Sequence, residues 1–142
     1  MNTVTPAQRS LARWLLQQDV TPEDGRAVAE SAARAWDKLS PRLAHIFTVA
    51  GSRGLAKRAI FLAQRDFPLL RGAQGEFGLD GLSSAIGELD KSEAEQVAEA
   101  VLANIIALTV TFIGEDLSLR AMRDVWPDAS LRDEDQPQEA TL

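Results

Sequence analysis

Few residues in this 142-residue chain could do chemistry, and each needs a setting before it can act. His45 is the only histidine. A helix histidine can carry a phosphoryl group, but that role asks for a lysine and a glycine in the following turn. Here the run is Leu43-Ala44-His45-Ile46-Phe47-Thr48, with no basic residue before Arg53. The plain reading is a histidine on a helix face. With no cysteine, metal ligation would fall to carboxylates. Glu93, Glu95 and Glu99 lie close in sequence, yet no Glu-x-x-His pair accompanies them, and acids at a helix start also suit the helix dipole. Adjacent serines and glycines in GLDGLSSAIG lack a nearby histidine for a nucleophilic triad, and neither GxxxxGK[ST] nor GxGxxG occurs.

Glu115, Asp116 and Arg120 are the charged residues of most interest. They follow a fifteen-residue uncharged run, AVLANIIALTVTFIG from Ala100 to Gly114. Asp116 and Arg120 stand at i,i+4, with Asp124 four further on, the spacing of a surface salt-bridge ladder. A sharper reading turns Glu115 inward to pair with Arg58 or Arg65, because a buried carboxylate needs a cationic partner. Charge is also segregated. Arg53, Lys57, Arg58, Arg65 and Arg71 crowd one stretch, and acids dominate the next, from Glu76 to Glu99. The two can neutralise each other side by side, or the basic face can take an acidic partner such as the chain's own C-terminal segment. Overall the charge is −6, and nothing interleaves aromatics with the basic residues, so nucleic acid is disfavoured.

The elements that must position these groups are helices. Ala100–Gly114 is apolar on nearly every side and predicts a buried central helix, too short in its uncharged part for the roughly 30 Å of a bilayer. Thr5-Pro6-Ala7-Gln8 has the residues of a capping box and opens a first helix running to about Gln18, burying Leu11 and Trp14 or Leu15. Thr21-Pro22-Glu23-Asp24 opens a second, with Val28, Ala32, Ala35, Trp36, Leu39, Leu43, Ile46 and Phe47 at helical spacing. Pro41 predicts a kink or break at Ser40. Gly51-Ser52-Arg53-Gly54 reads as a turn into a third helix capped by Ser52, with Leu55, Ala59, Leu62 and Ala63 as its stripe. Residues 71–81 read as a glycine-rich loop, and Leu82 to Leu89 as a short helical piece. Ser92-Glu93-Ala94-Glu95 has the pattern of a cap for the last helix, which reaches Val125 before Pro127 and bends at Gly114. No internal repeat and no strand alternation stand out.

Two stretches carry a resemblance: Ala59-Ile60-Phe61-Leu62-Ala63 with Phe67-Pro68-Leu69-Leu70, and Val110 to Arg120 running on to Trp126-Pro127. They resemble a group of small, uncharacterised, all-helical bacterial proteins. The resemblance implies a recurring helical fold and no particular activity.

The expectation is therefore an all-α protein: a bundle of four main helices over residues 1–127, with a long C-terminal central helix bent near Gly114, and an acidic disordered tail over 128–142. Absence of an uninterrupted apolar N-terminal run points to the cytoplasm. The leading functional expectation is a non-enzymatic module that binds another protein or its own copies, without cofactor, metal or membrane. Its interaction residues would be Arg53, Lys57, Arg58, Arg65, Glu115, Asp116 and Arg120. Self-association would use Trp14, Trp36 and the Phe67–Leu70 stretch. The alternatives are a ligand-binding bundle with Asn104, Thr109, Thr111 and Glu115 lining a pocket, and an enzyme using Glu115 or Asp116 as general base.

Overall fold

A computed structural model describes residues 4–18, 21–71, 79 and 81–131. Among these the chain is all helical, without a strand. Its α-helices are α1 (Pro6–Leu15), α2 (Gly25–Ala63), α3 (Leu82–Ile86) and α4 (Lys91–Val125), with a 3-10 turn at Pro68–Leu70. Most of the expected loop (72–78 and 80) and residues 132–142 of the acidic tail lie outside the described residues.

Local chemistry explains the helix starts. Thr5 accepts a hydrogen bond from the Gln8 N–H while the Gln8 side chain accepts from the Thr5 N–H, a complete capping box. The second helix begins at Gly25 rather than at Thr21, because Asp24 is the cap and accepts from the Ala27 N–H at 2.8 Å. The last helix is likewise capped one turn-start earlier than Ser92, by Asp90 accepting from the Glu93 N–H. An acceptor carboxylate at that position also meets the positive end of the helix dipole.

Pro41 does not break α2. The residue that leaves helical geometry is Thr48, at φ 79°, ψ 165°. Gly51 and Ser52 belong to the helix that follows, so the cap is Thr48 and not Ser52: its hydroxyl accepts from the Gly51 N–H, and the Ser52 hydroxyl donates to the Val49 carbonyl. In α4 the corresponding residue is Gly114, at φ 87°, ψ 163°.

These two residues are related by a constant separation that the residue types conceal. The caps Asp24 and Asp90, the non-helical residues Thr48 and Gly114, and the serines Ser52 and Ser118 are each 66 positions apart (90 − 24, 114 − 48, 118 − 52). At the same separation Val28 and Ala94, Ala35 and Val101, Trp36 and Leu102, Leu39 and Ile105, Ala56 and Met122, and Ile60 and Trp126 are all buried pairs. The chain thus holds an internal structural repeat, contrary to the sequence reading. What recurs is the cap, the break and the burial pattern, with little identity.

The core forms where α1, α2, α3 and α4 meet. Leu11 and Leu15 of α1, Val28 to Leu43 of α2, Leu82 and Ile86 of α3, and Val101 to Ile106 of α4 make one apolar cluster. At Gly25 a side chain would lie 2.4 Å from the Leu89 carbonyl oxygen, so α2 and the α3–α4 junction touch backbone to backbone at their starts. At the far end the Phe47 and Phe112 rings meet edge to face, with centroids 6.1 Å apart. Trp126 shares a small crevice with Leu15, Ser31 and Ala35. Packing continues past Pro127: Ala129 is buried, its carbonyl accepts from Arg123, and Leu131 lies against the core. The body therefore extends to about residue 131, since apolar Ala129 fills the place that Ala63 fills in the first repeat.

Thr48 and Gly114 hold a backbone conformation that side chains with a Cβ rarely adopt, costing about 1–3 kcal/mol where one does. A Cβ at Gly114 would meet nothing within 4 Å, so only the backbone term operates there. Gly114→Ala should lower stability by about 1–2 kcal/mol. Thr48→Gly should raise it by about 1 kcal/mol, because losing the hydroxyl cap to glycine costs only a few tenths. Urea unfolding of the three proteins checks both signs.

Candidate interaction surface

The site residues expected from the sequence do not converge. Glu115, Asp116 and Arg120 are exposed, as are Arg53, Lys57, Arg58 and Arg65. Glu115 does not turn inward to an arginine of the third helix: it is the first residue beyond Gly114, past the end of the buried segment, and the inward positions after the break are Ser118, Ala121 and Met122. Among the described residues no ion pair joins Asp116, Arg120 and Asp124. The Arg58 guanidinium sits 5.5 Å from the centroid of the Phe61 ring. Within the acidic stretch, Glu99 of α4 pairs with α1: it accepts from Arg13 through both oxygens, at 3.3 and 3.2 Å, with Arg9 at 3.9 Å. His45 is exposed, and no cluster of three metal-capable side chains occurs among the described residues.

The polar groups expected to line a pocket along α4 are largely engaged with their own helix. Thr109 and Thr111 donate their hydroxyls back to the carbonyls of Ile105 and Ala107, and the Asn104 amide donates to Ala100. Asn104 Oδ1 is left buried without a partner. An open groove of about 350 Å³ lies instead beside α2, lined by Trp36, Asp37, Ser40, Pro41, Ala44, Val49, Ser52 and Arg53.

The feature that sequence periodicity missed is apolar and exposed. Of the groups expected to serve self-association, Trp36 is core, Trp14 and Phe67 are half-buried, and Leu69 is 42% exposed. Around the Phe47–Phe112 contact, however, Ile46 is 45% exposed, Val49 57%, Phe112 63% and Leu117 45%. They flank Thr48 and Gly114, the two points at which the helical path is interrupted. Connections at helix ends are ordinarily polar, because their backbone faces water. Here both repeats place two large apolar residues just before the break, Ile46-Phe47 and Phe112-Ile113. The signal in the sequence was this apolar doublet beside a residue forced to positive φ, and Thr48 disguised it. Charges of opposite sign border the patch: Arg42 on α2, with His45 beside it, and Glu115 and Asp116 on α4, all exposed.

The uncharged run Ala100–Gly114 alone is too short to span a bilayer. Among the described residues α4 is long and apolar enough to cross a membrane by length and composition, its most apolar eighteen-residue window having a mean hydropathy of 1.9, but 56% of that window is buried inside the protein. No protein-family model, curated protein or solved structure matches the chain.

The Glu99 pair is the clearest charged contact between α1 and α4. Its arginines are more than half exposed, so its contribution is modest. Glu99→Gln should cost at most about 1 kcal/mol at low salt, and the difference from wild type should shrink at high salt, as read by urea unfolding.

Proposed function

We propose that this protein is a non-enzymatic interaction or assembly module whose working surface is the apolar end around Phe47 and Phe112. In this reading the fold is a helical bundle. Each long helix doubles back at its non-helical residue, α2 at Thr48 and α4 at Gly114, and returns along its own first limb. The shared groove of Ser52 and Arg53 with Trp36, Asp37 and Ser40 supports the first return, and Trp126 beside Ser31 and Ala35 supports the second. The body works in an aqueous compartment, since α1 and α2 cover the apolar middle of α4, and the compartment we propose is the cytoplasm.

The observation that carries the proposal is the placement of Ile46, Val49, Phe112 and Leu117. Four large apolar side chains exposed at one end of a small domain are costly to leave in water, and contiguous exposed apolar surface of this kind marks a contact site. The charged residues beside them, Glu115 and Asp116 among them, then serve as rim rather than as acid–base groups. Arg53, Lys57, Arg58, Arg65 and Arg120 are exposed positions outside the apolar centre.

The test is affinity capture with tagged wild type and with Ile46→Ser/Phe112→Ser, exposed positions whose change should leave the helical circular dichroism intact. Recovery of a protein, foreign or the untagged chain itself, with wild type and its loss with the variant is the expected result. Equal recovery with both would place the contact elsewhere.

A further inference from the structure

We infer that the occupant of the apolar end is a second copy of the same chain, docked end to end about a two-fold axis; this rests on the interaction reading above and names its partner. The argument is the sign of the charges on either side of the patch. On the α2 side, Arg42 and His45 are exposed on the face that also carries Ile46, one helical turn or less away. On the α4 side, Glu115 and Asp116 are exposed in the turn after Gly114, beside Leu117. The Phe47 ring of α2 meets Phe112 of α4, and Val49 is exposed next to Thr48.

A self-complementary surface must present to its copy what its copy presents to it. With a two-fold axis crossing the α2-to-α4 direction at right angles, the basic flank of one copy lies over the acidic flank of the other. The same contact is made twice. The apolar centre meets itself, Phe112 and Val49 against their counterparts. A surface bordered by one sign of charge would repel its own copy, and a lipid surface would have no use for Glu115 and Asp116 beside the inserting residues. The internal repeat suits this geometry. Ile46 and Phe112 are equivalent positions 66 residues apart, so the two sides of the end are similar in height and apolarity while opposite in charge.

The experiment is sedimentation equilibrium on the full chain in four forms. Wild type should be a dimer that dissociates on dilution. Phe112→Asp should weaken it by about 30-fold or more, as removal of a central anchor does. Arg42→Glu/His45→Glu gives both flanks negative charge, and Glu115→Arg/Asp116→Arg gives both positive charge. Each alone should dimerise about 10-fold more weakly. Mixed in equal amounts they should pair with each other nearly as tightly as wild type, because each then meets its opposite. A dimer indifferent to Phe112→Asp, or reversed variants that fail to pair on mixing, would overturn the inference. So would a wild-type monomer at high micromolar concentration. That monomer would leave the interaction reading standing if Ile46→Ser/Phe112→Ser still lost a captured foreign protein, and would remove both readings if it did not.

Discussion

The structure depends on a backbone constraint met twice. Two long helices each pass through one residue with positive φ and extended ψ, a conformation that a helix cannot continue through. One of these residues is glycine, which adopts it without steric cost; the other is threonine, whose branched Cβ makes it a strained choice. The strain persists at Thr48 because its surroundings hold it. Its hydroxyl accepts from the Gly51 N–H, and the residues that follow bury Leu55, Ala56 and Ile60 in the core. Those apolar contacts outweigh a local term of a few kcal/mol at most.

From that constraint follows the distribution of apolar surface. Residues preceding each break sit at the end of the buried segments and cannot be covered by the chain that follows. Ile46 and Phe112 are therefore exposed although they continue the apolar stripes of their helices. The interruption converts what periodicity reads as core into surface. The interaction role proposed for that end thus rests on where the helices stop as much as on which side chains they carry.

Much of the fold was readable before the structure. The Thr5–Gln8 capping box, the buried stripe from Val28 to Leu43, the extent of the last helix to Val125 and the all-helical class all come from cap chemistry and 3.6-residue spacing. Gly114 was readable as a special position because glycine advertises its freedom. Thr48 was not, since threonine is an ordinary helix neighbour and Pro41 was the more conspicuous breaker. Pro41 is exposed, at the edge of the open groove, and α2 runs on through it. Asp24 and Asp90, not Thr21 and Ser92, are the caps, their carboxylates accepting from the Ala27 and Glu93 N–H groups. The internal repeat escaped notice because Trp36 answers to Leu102 and Thr48 to Gly114: position is repeated, residue type is not. The exposed apolar end was hidden for the same reason, since exposure at Ile46 and Phe112 depends on a break that only backbone geometry reveals.

The most direct test of the account is amide hydrogen exchange followed at dilute and at high protein concentration. Amides of residues 97–107 should exchange slowly at both, since they belong to the buried part of α4. Those of 46–50 and 111–117 should exchange fast when dilute and become protected as concentration rises, because the two interruptions form an end that is open alone and covered on assembly. Protection at those two segments that does not change with concentration would contradict it, showing either that the end is closed within one chain or that nothing covers it.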